Sequence, residues 1–138
     1  PDIGNMSSTH SANPMACAVG LAVLEEIESG KLIEESLRKG KILKEGLNNL
    51  KQESGNRIGH ILGEGLILAI LFQDPVSGEP DSLTASLIAE KCYEKGLLVV
   101  HTGRESIKIG PPLTISDEAL LEGLSVISES FMEISQQI

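Results

Sequence analysis

Aromatic residues and cysteines are scarce in this sequence. Among 138 residues there are two Phe, one Tyr and no Trp, so aliphatic side chains must supply any core. Cys17 and Cys92 both stand in apolar helical patterns, and neither they nor the three histidines show the spacing of zinc ligands. We therefore expect no disulfide framework and no metal site, which suits a reducing compartment such as the cytoplasm.

Long hydrophobic runs and excess positive charge are also missing. The apolar stretch over residues 65–72 is far too short to cross a bilayer, which excludes a transmembrane role. Lys and Arg number 11 against 20 Asp and Glu, giving a net charge of -9. That balance repels phosphate backbones and anionic lipids, so we expect neither a nucleic-acid partner nor a membrane partner.

The composition present is that of a globular chain, with 41% hydrophobic and 22% charged residues. Apolar periodicity predicts helices over residues 14–28, 31–52 and 82–95, and a last helix capped by Ser116. Strands are predicted over residues 66–72, 97–101 and 106–109. This order predicts an α+β fold, in which helices cover one face of a small, mostly antiparallel sheet.

Two places in the sequence are candidates for binding an anion. The polar loop over residues 7–10 precedes a helix capped by Asn13, and its hydroxyls and nearby amides suit a phosphate, although a plain polar loop remains an alternative. Lys108 alternates with Ile107 and Ile109 beside a Pro-Pro corner, where it would meet a carboxylate or simply guard a sheet edge. Arg104, on the preceding turn, competes with Lys108 as the anion binder.

No catalytic residue follows from the pattern. Ser8, Thr9 and His10 are sequence neighbours, which rarely align as nucleophile and base, and no Gly-x-Ser-x-Gly elbow is present. The glycines over residues 59–65 have the wrong order for a dinucleotide loop, and a strand follows them instead of a helix.

Four stretches together resemble landmarks of the class III pyridoxal-phosphate-dependent aminotransferases. Residues 8–18 resemble the Ser/Gly-Thr-x-x-x-Asn-Pro-x-Ala run that follows the cofactor lysine of that family. Residues 63–68 resemble the glycine-bearing start of its C-terminal sheet, and residues 94–99 and 108–115 match its last two landmarks. The four occur in the family's order and extend over the whole chain.

The resemblance implies the C-terminal part of a fold type I enzyme that exchanges an amino group between an amino donor and a keto acid. It implies a homodimer with active sites between subunits and pyridoxal 5'-phosphate held as a Schiff base to a lysine. That lysine would lie before Pro1, so the chain alone is expected to be inactive and to hold no catalytic residue. Residues 1–12 would be the active-site and interface loop, and residues 13–138 the C-terminal domain with its linking helix.

The resemblance also implies roles for single residues. Thr9 matches the threonine that reaches the cofactor phosphate of the partner subunit, and Ser8 is its neighbour. Lys108 stands where many members carry an arginine that pairs with a substrate carboxylate. Arginine grips a carboxylate with a planar fork and lysine is a point charge, so the family's usual substrate acid does not carry over. Decarboxylating, racemising and aminomutase members share these landmarks.

A second hypothesis assigns the chain to a different class of protein. The same α+β pattern would suit a non-catalytic, amino-acid-binding regulatory module, which would normally be complete in itself.

Overall fold

The computed structural model describes residues 12–138 and has, within them, four helices and one four-stranded sheet. The helices are α1 (Pro14–Ser29), α2 (Leu32–Glu53), α3 (Ser82–Glu94) and α4 (Asp117–Ser135). The strands are β1 (Ile58–Glu64), β2 (Ile67–Phe72), β3 (Val100–His101) and β4 (Ser106–Ile109). The chain divides into two compact units, of which the first ends at Ile33 and the second is Glu34–Ile138.

Capping side chains start three of the helices where the sequence predicts. Asn13 Oδ1 accepts hydrogen bonds from the backbone amides at the start of α1, and Pro14 occupies the first helical turn. Asp81 caps α3 through the amide of Thr84, and Ser116 caps α4 through the amide of Ala119. All four predicted helices are confirmed, since their bounds agree with the structure within one or two residues.

The sheet has the order β1-β2-β4-β3, and every neighbouring pair is antiparallel. Strand β1 was not predicted, because a register shift between Ile58 and His60 and the glycine at Gly63 interrupt its alternation. Strand β3 is shorter than predicted, since only Val100 and His101 pair with β4.

The core of the second unit lies on one face of this sheet. Leu68, Ile70 and Phe72 of β2 and Ile107 of β4 are at most 2% exposed, while their strand neighbours are partly or fully exposed. Buried residues of α2, α3 and α4 pack with them in a single cluster, in which Phe72 and Phe131 stack at 6.4 Å between ring centroids. The predicted α+β fold is thereby confirmed.

Helix α1, in the first unit, exposes its apolar side chains. No residue of α1 is buried, and Met15 and Val19 are 77% and 59% exposed. The apolar residues of α1 are distributed around the helix, and none of the described residues buries them. Within the described residues, no helix combines the length and the apolar character that crossing a bilayer needs.

Candidate functional site

Lys108 lies in the middle of the sheet face that the helices leave uncovered. Its register partners are Ala69 on β2 and Val100 on β3, and Ala69 in turn lies opposite Leu62 on β1. Directly opposed residues of antiparallel strands point to the same face, so these four side chains form one row across the sheet. Leu62 and Val100 are 53% and 57% exposed, and Lys108 is the one charge in an apolar row.

The ammonium group of Lys108 is available to a ligand as far as the described residues go, because none of them forms an ion pair with it. Ala69 beside it is small and leaves room next to the lysine stem. An apolar surrounding strengthens a charge–charge contact because little water competes for either partner. The geometry of Lys108 therefore suits a single carboxylate approaching the open face.

Two residues of α2 fix the chain that leaves β4 after Lys108. The buried Lys39 donates from Nζ to the carbonyl oxygen of Ile115 at 2.6 Å. The neighbouring Arg38 holds Asp117, the first residue of α4, with a two-pronged contact of 2.9 and 2.6 Å. The hydrogen bond from Arg38 lowers the pKa of the Asp117 carboxyl below its ordinary value. Sequence reasoning missed this arrangement, because Arg38 and Asp117 are 79 positions apart and no local spacing links them.

Arg104, the competing candidate, lies in the turn between β3 and β4, outside the row of Lys108. Its side chain is 75% exposed, and Nε lies 3.5 Å from Oε2 of Glu105. Its carbonyl oxygen lies 3.1 Å from Nε2 of His101. The structure thus does not bring the two predicted anion binders into one row, and Arg104 already has an acidic neighbour.

The predicted phosphate-binding residues Ser8 and Thr9 lie outside the described residues. The start of α1 can be judged, however, and its amides are already engaged. Asn13 Oδ1 accepts from the amides of Met15 at 3.0 Å and of Ala16 at 3.4 Å, and the amide of Cys17 donates to the Asn13 carbonyl oxygen. The predicted role of Ser8 and Thr9 in holding a phosphate stays a prediction.

A cavity of about 510 Å³ opens beside Lys108. This β3 groove is lined by residues 97–100 and 108–112, by Leu43, Ile67 and Ile115, and by one side of α4. Lys108 is the only charged residue in the lining, and the other lining residues are apolar side chains, proline or glycine. The groove can therefore hold an apolar group whose polar end reaches Lys108.

Other chemistry finds no support in the described part of the chain. Residues 12–138 contain no cluster of side chains that would hold a metal ion. Ser86 Oγ lies 3.5 Å from His101 Nε2, but this hydroxyl donates to the Ser82 carbonyl oxygen at 2.9 Å. That histidine nitrogen lies closer to the Arg104 carbonyl oxygen than to the hydroxyl, so the pair is not arranged as a nucleophile and its base.

Comparison with known proteins places this geometry in a family. Residues 1–131 match the family described as Aminotransferase class-III. The chain is 31% identical over 132 residues to the mitochondrial acetylornithine aminotransferase of Candida glabrata, covering 96% of this chain and 29% of that protein. It is 36% identical over 137 residues to the 4-aminobutyrate aminotransferase GabT of Escherichia coli, covering 96% of this chain and 32% of that protein.

Solved structures agree with these relatives. The acetylornithine aminotransferase of Elizabethkingia anophelis superposes with a TM-score of 0.82 at 34% identity, over 92% of this chain and 30% of that one. An amine transaminase of an uncultivated Pseudomonas species, in its PLP-bound form, gives a TM-score of 0.83 at 28% identity, over 92% of this chain and 29% of that one. The α+β fold is that of the fold type I transaminases. This chain, which spans about a third of the length of the relatives it matches, belongs to the class III aminotransferase family.

Proposed function

We propose that this chain is the C-terminal part of a pyridoxal-phosphate-dependent class III aminotransferase. The whole protein would exchange an amino group between an amine or amino acid and a keto acid. The observation that carries the proposal is the family match over residues 1–131. Lys108, a lone cation in an apolar row, is the residue that we assign to a substrate carboxylate. The family match over residues 1–131 argues against the alternative of an amino-acid-binding regulatory module.

Pyridoxal 5'-phosphate, when bound, would act as an electron sink for the carbon that bears the substrate's amino group, which is the chemistry that transamination needs. We assign the hydroxyls of Thr9 and Ser8 to its phosphate, since a hydroxyl gives a phosphate oxygen a charge-assisted hydrogen bond. In a homodimer, Thr9 would reach the cofactor bound by the partner subunit. The lysine that anchors the cofactor would lie in the part of the protein outside this chain.

Four of the described lysines are poor candidates for the anchoring lysine. A lysine that attacks a carbonyl needs a lowered pKa, so that part of it is neutral. Ion pairs with Glu94 and Glu133 instead raise the pKa values of Lys91 and Lys95 above the ordinary value. Lys39 and Lys51 donate to backbone carbonyl oxygens at 2.6 Å and are committed to the fold.

The first prediction is that the 138-residue chain alone does not transaminate. The chain would be mixed with pyridoxal phosphate, reduced with borohydride, and analysed by peptide mass spectrometry and a transamination assay. We expect scattered, sub-stoichiometric labelling of exposed lysines and no turnover. One lysine labelled stoichiometrically, together with turnover, would show that the anchoring lysine is inside this chain.

The second prediction tests the role of Lys108 in the full-length protein. Lys108→Ala should raise KM for substrates that carry a carboxylate and leave simple amines unchanged. A charge-assisted contact is worth about 1.5–3 kcal/mol, or about one to two orders of magnitude in kcat/KM. Lys108→Arg should retain much of the preference, because it keeps the charge.

Arg104→Ala is the matched control, since it removes a nearby cation from outside the row of Lys108. We expect it to leave the discrimination between acids and amines within twofold of the wild type. Equal losses with both substrate types in Lys108→Ala would return Lys108 to the role of a surface lysine. A selective loss in Arg104→Ala would transfer the carboxylate contact to Arg104.

The remaining assignments are expectations for the whole protein. We propose small-molecule donors and acceptors as its ligands and the cytoplasm as its location, although the Candida glabrata relative is named as mitochondrial. The identity of the donor, and the choice between transamination and the decarboxylating, racemising or aminomutase chemistry of other members, depends on residues outside this chain.

A further inference from the structure

The β3 groove has a rim of apolar side chains that face water. Four apolar residues follow one another at positions 97–100, and Leu98 and Val100 are 81% and 57% exposed. Leu97 and Val99, which alternate with Leu98 and Val100, are half-buried. This alternation is typical of an extended strand with one face packed and the other face waiting for a partner.

The strand at this rim is also the end of the sheet. β3 pairs with β4 on one side, and on its other side no described strand pairs with it. Open edges of this kind invite another strand, and proteins normally protect them with charges, prolines or bulges. None of the residues at positions 97–100 is charged or a proline.

The opposite edge of the same sheet is protected. Lys51 of α2 donates to the carbonyl oxygen of Gly59 at 2.6 Å, and Lys44 donates to that of Gly63 at 3.4 Å. Strand β1 also carries a register shift between Ile58 and His60 and ends in the exposed Glu64. Lysines, a bulge and a charge together protect β1 from pairing with another strand. Residues 97–100 have no such protection, so the β3 edge can accept an additional strand.

We infer that the β3 groove is a docking site for an extended apolar segment of the longer protein, which lies beside β3 as an additional strand. Its backbone would pair with the free edge at residues 98–101. Its alternate side chains would cover Leu98 and Val100 and fill the cavity of about 510 Å³.

The length of the relatives supports an occupant from the same polypeptide. This chain covers 29% and 32% of two aminotransferases, so more than two thirds of each lies outside the matched region. A second copy of this chain suits the groove less well. Each copy carries a net charge of -9, so two copies repel each other. The inference rests on the proposed function only in requiring that the chain be part of such a longer protein.

Hydrogen exchange on the unmodified full-length protein tests the inference. Pairing with β4 alone involves only Val100 and His101 and protects one of their two amides, because successive amides of a strand point in opposite directions. An added strand should protect the outward amides of residues 98–101 as well, and we expect these to exchange at least 100-fold more slowly than unstructured reference peptides. Outward amides that exchange at the reference rate would overturn the inference.

Photo-crosslinking identifies the occupant. Full-length protein with benzoylphenylalanine at position 98 should crosslink to a peptide from outside the 138-residue region. The same label at position 76 is the control, since Val76 is 95% exposed and does not line the groove. We expect at least tenfold less crosslinking there.

Mixed ¹⁴N and ¹⁵N protein separates the possible sources of a crosslink. Crosslinks within one polypeptide carry a single isotope, and this is the expected result. Crosslinks that join the two isotopes would identify a second copy, and equal yields at positions 98 and 76 would show an uncovered groove; either result overturns the inference. Transaminase activity, measured on the unmodified full-length protein, tests the proposed function separately. An active enzyme with an uncovered groove and an inactive protein with a covered groove would be two distinct results.

Discussion

The two edges of the sheet differ in how closely other residues of the chain approach and protect them. At the β1 edge, α2 approaches so closely that a Cβ on Gly40 would overlap the backbone of Gly65, and Lys51 binds a β1 carbonyl oxygen. At the β3 edge, a Cβ on Gly123 of α4 would meet only Leu97 Cδ1, at an ordinary 3.5 Å. Within residues 12–138, α2 protects the β1 edge, whereas no strand pairs with the outer side of β3.

Helix α1, in the first unit, also has apolar side chains that are exposed. Its residues 14–24 contain no charged side chain, and none of its side chains is buried. A helix that is apolar on every side is normally enclosed by protein. Apolar surface without a partner therefore occurs both in α1 and at the β3 edge, as expected of a chain that spans about a third of its relatives.

The largest effect should come from truncating one apolar residue on each edge strand. Ile58 of β1 is 1% exposed and Val100 of β3 is 57% exposed. Ile58→Ala should lower the free energy of unfolding of the chain by about 2–5 kcal/mol, because it removes buried methyl groups and leaves a cavity. Val100→Ala should change it by no more than about 0.5 kcal/mol, as surface substitutions do. Urea unfolding followed by circular dichroism measures both.

The same pair in the full-length protein sharpens the comparison. If a segment covers β3 there, Val100→Ala should become more costly in the longer protein than in the 138-residue chain, while Ile58→Ala should cost the same in both. Equal losses of unfolding free energy for Ile58→Ala and Val100→Ala in the 138-residue chain would contradict the distinction between a protected β1 edge and an open β3 edge.

The sequence predicted the elements whose signals are local. Asn13 with Pro14 marks the start of α1, Ser116 marks that of α4, and alternation around Ile107 marks β4. Strand β1 was missed, because its register shift and glycines hide the period of two. Apolar spacing predicted α1 as a helix, but spacing alone does not show how exposed Met15 and Val19 are.

The site could be predicted only as far as single residues. The alternation of Ile107, Lys108 and Ile109 places Lys108 on the open face, as the structure confirms. The sequence could not show that Ala69 and Val100 flank it, because strand register is a long-range property. The contact between Lys39 and Ile115 was hidden for the same reason, since its partners are 76 positions apart.

An intermediate effect on the free energy of unfolding should follow from adding one methyl group near each edge of the sheet, at Gly40 and at Gly123. Gly40 and Gly123 both lie inside helices, so alanine would favour either helix by up to about 1 kcal/mol. At Gly40 the new Cβ would overlap backbone atoms of Gly65, and we expect a net loss of about 1–3 kcal/mol. At Gly123 there is room, and we expect a gain of up to about 1 kcal/mol. A stabilising Gly40→Ala, measured by urea unfolding, would refute the tight approach at the β1 edge.

The smallest effect concerns the ion pair that ties α2 to α4 next to the β3 groove. Arg38 donates to both carboxyl oxygens of Asp117 and also pairs with Glu35. These hydrogen bonds hold the pKa values of the Asp117 and Glu35 carboxyls below their ordinary values. All three side chains are between 38% and 48% exposed, so solvent and salt weaken the pair.

Asp117→Asn should therefore cause a small loss of stability with a defined pH dependence. A carboxyl with a lowered folded-state pKa stabilises the fold fully above its unfolded pKa of about 3.9, and the contribution disappears as the pH falls through the lower, folded-state pKa. The difference between Asp117→Asn and the wild type in urea unfolding should thus be constant from pH 7 to about pH 5, shrink below that, and fall towards zero in 1 M salt. Glu118→Gln is the control, because Glu118 shares the first turn of α4 and forms no ion pair with the described residues. A loss in Glu118→Gln as large as that in Asp117→Asn would assign the effect to the helix dipole, and the Arg38 contact would then contribute little to anchoring α4 beside the groove.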